Sequence, residues 1–131
     1  KYRSNSNMKI ANTLSLILGS VLLIISFQWI FMPASAAESL NMIFLDGEGR
    51  NTQIRDFTAL FLGTSSLCFL SFFTKKYEFI FSCGLFYLFA AIFSILSTNH
   101  GAIITYSSLV SEIVFTLMAF TAAFLYKSNN L

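Results

Sequence analysis

The sequence predicts an all-α membrane protein, a four-transmembrane-helix antiparallel up-down-up-down bundle forming one integral membrane domain over residues 1–131. Three observations carry that reading. Four apolar runs, at 10–31, 57–73, 79–96 and 103–126, take up most of the 131 residues. Each is close to the ~17–25 residues that a helix rising ~1.5 Å per residue needs to cross a ~30 Å hydrocarbon core. Hydrophobic residues make up 56% of the chain and charged residues 11%, far below the ~25% charged of a soluble domain. The third observation is the brevity of most connections, which makes consecutive helices antiparallel neighbours.

The first run follows basic Lys1, Arg3 and Lys9 and precedes Ala34-Ser35-Ala36-Ala37, a signal-peptidase-like stretch. It is longer than the ~7–15 apolar residues of a signal-peptide core, so it is expected to remain as a membrane span. Pro33 follows it, where continuing the helix would lose a backbone hydrogen bond. The connection 32–56 is the longest. Within it, 40–45 is an apolar patch too short to cross a bilayer and suited to an interfacial turn. The segment Asp46-Gly47-Glu48-Gly49-Arg50-Asn51 reads as a solvated tight turn, since these residues tolerate unusual backbone angles. It looks superficially like a calcium loop but lacks the ligand spacing and the final Glu. Arg55 and Asp56 open the second span, with Asp56 suited to an N-cap. Lys75-Lys76 turns the chain into the third span, and Asn99-His100-Gly101 joins the third to the fourth.

Orientation follows from the Lys and Arg residues near the span ends. Lys1, Arg3, Lys9, Lys75, Lys76 and Lys127 fall on one side, which leaves Arg50 and Arg55 on the other. This asymmetry predicts a multi-pass protein of a bacterial inner (cytoplasmic) membrane with both termini cytoplasmic. Gln28, Trp29 and Tyr106 then sit at the level of an outer interfacial belt.

Small and weakly polar residues recur at spacings of three and four, which places them on single helical faces. Asn12, Ser15, Gly19 and Ser26 mark the first span, and Arg55, Ala59, Gly63 and Ser66 the second. Cys83, Tyr87, Ala91, Ser94 and Thr98 mark the third, and Thr105, Ser108, Glu112, Thr116, Ala119 and Ala123 the fourth. Membrane helices pack through such stripes because lipid gives them no hydrophobic reason to associate. Gly19, Ala59, Gly63, Ala91 and Ala119 are the expected contact points.

Glu112 is the ionisable residue placed deepest. A charge at the bilayer centre costs ~2.5–3.5 kcal/mol on insertion scales, which makes such a residue a functional candidate. A helix start near Ser108 would instead put it in the first turn, where the helix dipole favours a carboxylate. Arg55, Asp56 and His100 fall at the same outer level, and Arg55 and Glu112 each lie on the packing stripe of their own helix, which makes an Arg55–Glu112 pair geometrically reasonable. Together the four form a candidate ligand-binding pocket, against a bland reading as caps and loop residues. Cys68 and Cys83 share a depth but fall on different faces, so two separate free thiols are expected. One His and two separated Cys build no recognisable metal or haem site. There is no phosphate-binding Gly-rich loop and no nucleophile elbow. Neither an enzyme nor a cofactor is therefore expected, and a formal charge of +2 gives no basis for nucleic-acid binding.

Two readings of function stand. One is a non-catalytic membrane protein acting by helix packing, as a homo-oligomer or an accessory subunit of a larger membrane complex, with the lipid bilayer as its other partner. The alternative is binding or transport of a lipid, quinone or solute through the outward-facing polar pocket.

The run Gly49-Arg50-Asn51-Thr52-Gln53-Ile54-Arg55-Asp56, the following Ala59-Leu60-Phe61-Leu62-Gly63, and Glu112-Ile113-Val114 resemble a family of short four-helix bacterial membrane proteins. That family is known only as a domain of unknown function. More loosely, the chain is similar to the DoxX-like four-helix membrane proteins. The resemblance covers most of residues 10–126 and implies the fold and a membrane location, with no assigned activity. Phe93-Ser94 stands where an arginine is expected in related chains, so no shared charge network around Glu112 is implied.

Overall fold

The computed structural model describes residues 2–129, with side chains from residue 6 onward. Lys1 lies outside the described residues, and Arg3 outside the described side chains. The chain forms α1 (Tyr2–Phe31), α2 (Pro33–Ser39), α3 (Gly47–Thr74), α4 (Tyr77–Leu96) and α5 (Tyr106–Asn129), with a 3-10 turn over Ser97–His100. Four stretches, Ser6–Phe31, Gly47–Thr74, Tyr77–His100 and Tyr106–Asn129, are long and apolar enough to span a membrane. At 24–28 residues each, they reach ~36–42 Å.

The four long helices close a ring: α1 packs on α3 and α5, and α4 packs on α5 and α3. α2 folds back on α1. The interior face of α1 runs Ala11, Ser15, Leu18, Leu22, Ser26 and Trp29, all fully buried, at helical spacing. Serines and small residues fill much of the interior, while large apolar side chains point out. Ile24 is 67% exposed, Phe93 60% and Phe124 69%, whereas Ser15, Ser65 and Ser71 are fully buried. This inverts the pattern of a water-soluble bundle, in which the apolar stripe faces the core.

Interior polar groups hold helix to helix. The Ser65 hydroxyl donates to the Gly19 carbonyl at 2.7 Å, where α1 and α3 approach closely. A Cβ on Gly19 would lie 3.2 Å from Cys68 Cβ. Ser71 closes the α3–α4 turn by donating to the Lys76 carbonyl at 2.6 Å and accepting from the Ile80 N–H at 2.8 Å. Lys75 caps α3 in the left-handed region at φ 62°, a conformation that lets two residues reverse the chain.

Several expectations are corrected. The segment 46–51 is not a turn: α3 starts at Gly47, so the helix extends well before the apolar run. Asp46 precedes it in extended conformation and pairs with Arg50 at 3.0 Å, one helical turn on, while Glu48 in the first turn suits the helix dipole. Asp56 is consequently mid-helix and not an N-cap. Pro33 starts α2, at a position where its missing N–H costs nothing. Trp29 is not an interfacial belt residue; it is fully buried and stacks on Phe57 at a centroid distance of 4.8 Å.

The stripe Arg55, Ala59, Gly63 and Ser66 faces outward, with nothing within 4 Å of a Cβ built on Gly63. α3 instead buries Gln53, Phe61, Thr64, Ser65, Cys68 and Ser71. That face stacks two phenylalanines on Trp29 and Tyr87 and gives its hydroxyls partners, which outweighs the preference for small residues. The same rotation of α3 brings Cys68 and Cys83 together, with sulfurs 3.7 Å apart in the interior as free thiols. Alkylation of the unfolded native protein is expected to modify both. A mild membrane-permeant oxidant should link them within one chain, since the sulfurs need only close from 3.7 Å to the ~2.05 Å of a disulfide.

Candidate functional site

A cavity of about 370 Å³ lies where the C-terminal end of α1, the N-terminal half of α3 and the N-terminal half of α5 meet the C-terminal half of α4. This is at the small end of the ~300–1,000 Å³ usual for ligand pockets. Its wall is an unbroken arc of five rings. Trp29 stacks on Phe57 at 4.8 Å, Phe57 neighbours Phe61 at 6.4 Å, Phe61 neighbours Tyr87 at 6.4 Å, and Tyr87 meets Phe115 edge-on at 5.2 Å. The Tyr87 hydroxyl is tied below to Thr64 Oγ1 at 2.8 Å, which holds that ring upright as the floor. Ser94, Ser107, Ser108 and Ser111 supply a hydroxyl-rich side, and Glu112 is the one acidic residue in the wall.

The segment after α2 covers part of this space through Leu40 and Met42. Gln53, itself buried, fastens that segment to α3: its Nε2 donates to the Ile43 carbonyl at 3.1 Å and its Oε1 accepts from the Leu45 N–H at 3.0 Å. Arg50 adds a bond to the Leu45 carbonyl at 2.8 Å and lies over the Phe44 ring at 4.2 Å. The cover is thus fastened by the start of α3, through Gln53 and through Arg50 of the segment 46–51 expected to be a solvated tight turn.

Two residues of the wall each carry a buried polar atom without a partner. Trp29 Nε1 and Glu112 Oε1 are buried without a hydrogen bond, as is Thr58 Oγ1, next in sequence to Phe57. Among the described residues, these are the unpaired buried side-chain polar atoms of the molecule, and all three belong to this end. A buried unpaired polar group costs ~1–3 kcal/mol, so two such groups on residues of one cavity wall single out this end of the bundle.

Of the four residues expected to converge, only Glu112 reaches the pocket. With α5 starting at Tyr106, Glu112 lies beyond the first turn, so it is not a first-turn residue at a helix start near Ser108. Arg55 and Asp56 pair with each other at 3.0 Å on the exposed surface of α3, and Arg55 also reaches Asn51. There is no Arg55–Glu112 pair, because Arg55 rides on the outward face with Ala59 and Gly63. His100 is exposed in the 3-10 turn and does not line this cavity. Of the expected packing residues, Gly19, Ala91 and Ala119 are buried, while Ala59 and Gly63 are exposed. Trp29 and the rings of α3 were missed. A signal existed for Trp29, which continues the Ser15, Gly19, Ser26 face one step further at the same spacing.

Comparison with known protein families, with curated proteins and with solved structures gives no match.

Proposed function

We propose that the protein is an integral membrane protein whose four long helices cross the bilayer as an antiparallel up-down-up-down bundle and whose interior pocket binds a small molecule. The observation that carries this is the coincidence of one cavity with two lining residues, Trp29 and Glu112, that each hold an unpaired buried polar atom. The outward display of Ile24, Phe93 and Phe124 supports the bilayer as solvent. Orientation is read from the basic residues. Lys75 bonds Asn12 near the start of α1, and Lys127 lies over Tyr77 at the start of α4. Those lysines therefore share an end, and by the positive-inside bias that end is cytoplasmic and the pocket faces outward. A bacterial inner membrane fits this orientation. The role is binding, or passage of a bound solute, with no catalytic step assigned.

A second reading is favoured by the outward face of α3. Ala59 and Gly63, four residues apart with open space above Gly63, form a surface on which another membrane helix can approach closely. A homo-oligomer or a place in a larger membrane complex would use it.

Native mass spectra of protein released from mild detergent test the first reading. One small molecule retained per chain, and lost when Trp29 or Phe61 is replaced by Ala, is the expected result. A chain that carries nothing, in every oligomeric form observed, would leave the packing reading standing alone.

A further inference from the structure

Resting on the reading of the cavity as a binding site, we propose that its ligand is a small organic ammonium ion that also carries a hydrogen-bond acceptor. The charge balance of the wall points there. It contains one carboxyl, from Glu112, and among the described residues no Lys, Arg or His lines it. The nearby cations are engaged elsewhere: Arg55 with Asp56, and Arg50 with Asp46 and the Leu45 carbonyl. A carboxylate in this position lacks a counter-charge, and an entering cation supplies it.

The remaining wall suits the same ligand. A cation over the face of an aromatic ring is attracted by the ring quadrupole, and cages of several rings are the usual way proteins hold quaternary ammonium groups. Trp29, Phe57, Phe61, Tyr87 and Phe115 are consecutive neighbouring rings that all line the cavity, an aromatic surface of the kind this recognition uses. The Tyr87 hydroxyl is already engaged by Thr64 and so does not compete for the ligand. Trp29 lines the cavity and its buried, unpaired Nε1 can only donate, so an ether, hydroxyl or carbonyl oxygen on the ligand would complete it. The volume of about 370 Å³ limits the ligand to the smallest drug-like sizes.

Trp29 is the single tryptophan of the chain, so its emission reports directly from the pocket. The full chain in lipid nanodiscs would be titrated with choline phenyl ether and, separately, with the uncharged isostere in which a tert-butyl group replaces the trimethylammonium. The expected result is saturable change with both, with the cation bound about 10-fold or more tighter, as one carboxylate contact and an aromatic arc away from water can supply. Glu112→Gln should remove that preference while leaving the isostere's affinity unchanged, which also shows that the variant is folded. Equal or tighter binding of the isostere by the native protein would overturn the ammonium assignment and leave the pocket in place. Neither compound altering Trp29 emission would overturn the pocket reading and this inference together.

Discussion

The two ends of the bundle treat buried polar groups in opposite ways. At the end where α1 starts and α3 and α5 finish, every feature is closed. Asn12 Oδ1 accepts from Lys75 Nζ at 2.8 Å and from the Tyr126 hydroxyl at 2.8 Å, and Tyr126 lies 3.0 Å from Ser15 Oγ. Ser71 satisfies two backbone groups across the α3–α4 turn, and the two cysteine sulfurs touch. At the other end, Trp29, Thr58 and Glu112 leave polar atoms unpaired, and Trp29 and Glu112 line the cavity. Satisfied polar networks lock helices in one register, while unsatisfied ones are costly and persist where something else supplies the partner. One half of the molecule is tied together by satisfied bonds, and the other half surrounds the cavity.

This contrast can be broken by mutation, and the largest effect is expected at the closed end. Asn12→Ala takes the shared acceptor from both Lys75 and Tyr126 and leaves two donors without it. Because Lys75 is only half-buried and Tyr126 keeps Ser15, a loss of about 2–3 kcal/mol is expected, the upper part of the ~1–3 kcal/mol range for one abandoned buried group, read as a lowered midpoint in detergent unfolding. An unchanged midpoint would mean that the network is not structural.

A smaller effect is expected from glycine packing. A Cβ on Gly84 would come within 2.5 Å of the Phe120 ring and 3.2 Å of Ala119 Cβ. Gly84→Ala therefore forces Phe120 aside and should cost about 1–3 kcal/mol, the range for overpacking. Gly63→Ala meets nothing within 4 Å. It should gain up to ~1 kcal/mol from helix propensity in the isolated chain, unless a second helix covers that face. Loss of an oligomer in this variant, with the monomer's midpoint kept, would identify the Ala59–Gly63 surface as an interface.

The smallest change in stability is expected at the pocket. Glu112→Gln removes a charge without removing a satisfied bond, so the unfolding midpoint should move by no more than about 1 kcal/mol in either direction. A loss as large as that of Asn12→Ala would place Glu112 in the scaffold and erase the distinction between the two ends.

The number of long helices and their approximate positions were legible because membrane-length apolar runs are a property of local composition, whereas the short α2 was not. The faces of α1, α4 and α5 followed from residues such as Ser15, Tyr87 and Ala119, whose spacing alone aligns them. α3 was misjudged because it offers two stripes of comparable quality. Arg55, Ala59, Gly63 and Ser66 are small or polar, while Phe57, Phe61, Thr64 and Cys68 are bulkier but find rings, hydroxyls and a thiol opposite them. Periodicity cannot rank two faces of one helix when the deciding contacts lie on other helices. From that one rotation came the separation of Arg55 from Glu112, the meeting of Cys68 with Cys83, and the aromatic arc of the pocket.

The sequence by itself therefore determined that there are four long apolar helices, where their polar interruptions fall, and that Glu112 is an acidic residue far along an apolar run. Those facts depend on the order of residues within each helix. Only the tertiary structure decided that Trp29 is buried, that α3 begins early enough for Gln53 to hold a cover over the cavity, and that Glu112 stands in an aromatic wall without a cation. Each of these is a relation between helices, set by which combination of faces buries the most rings while leaving the fewest polar groups unpaired.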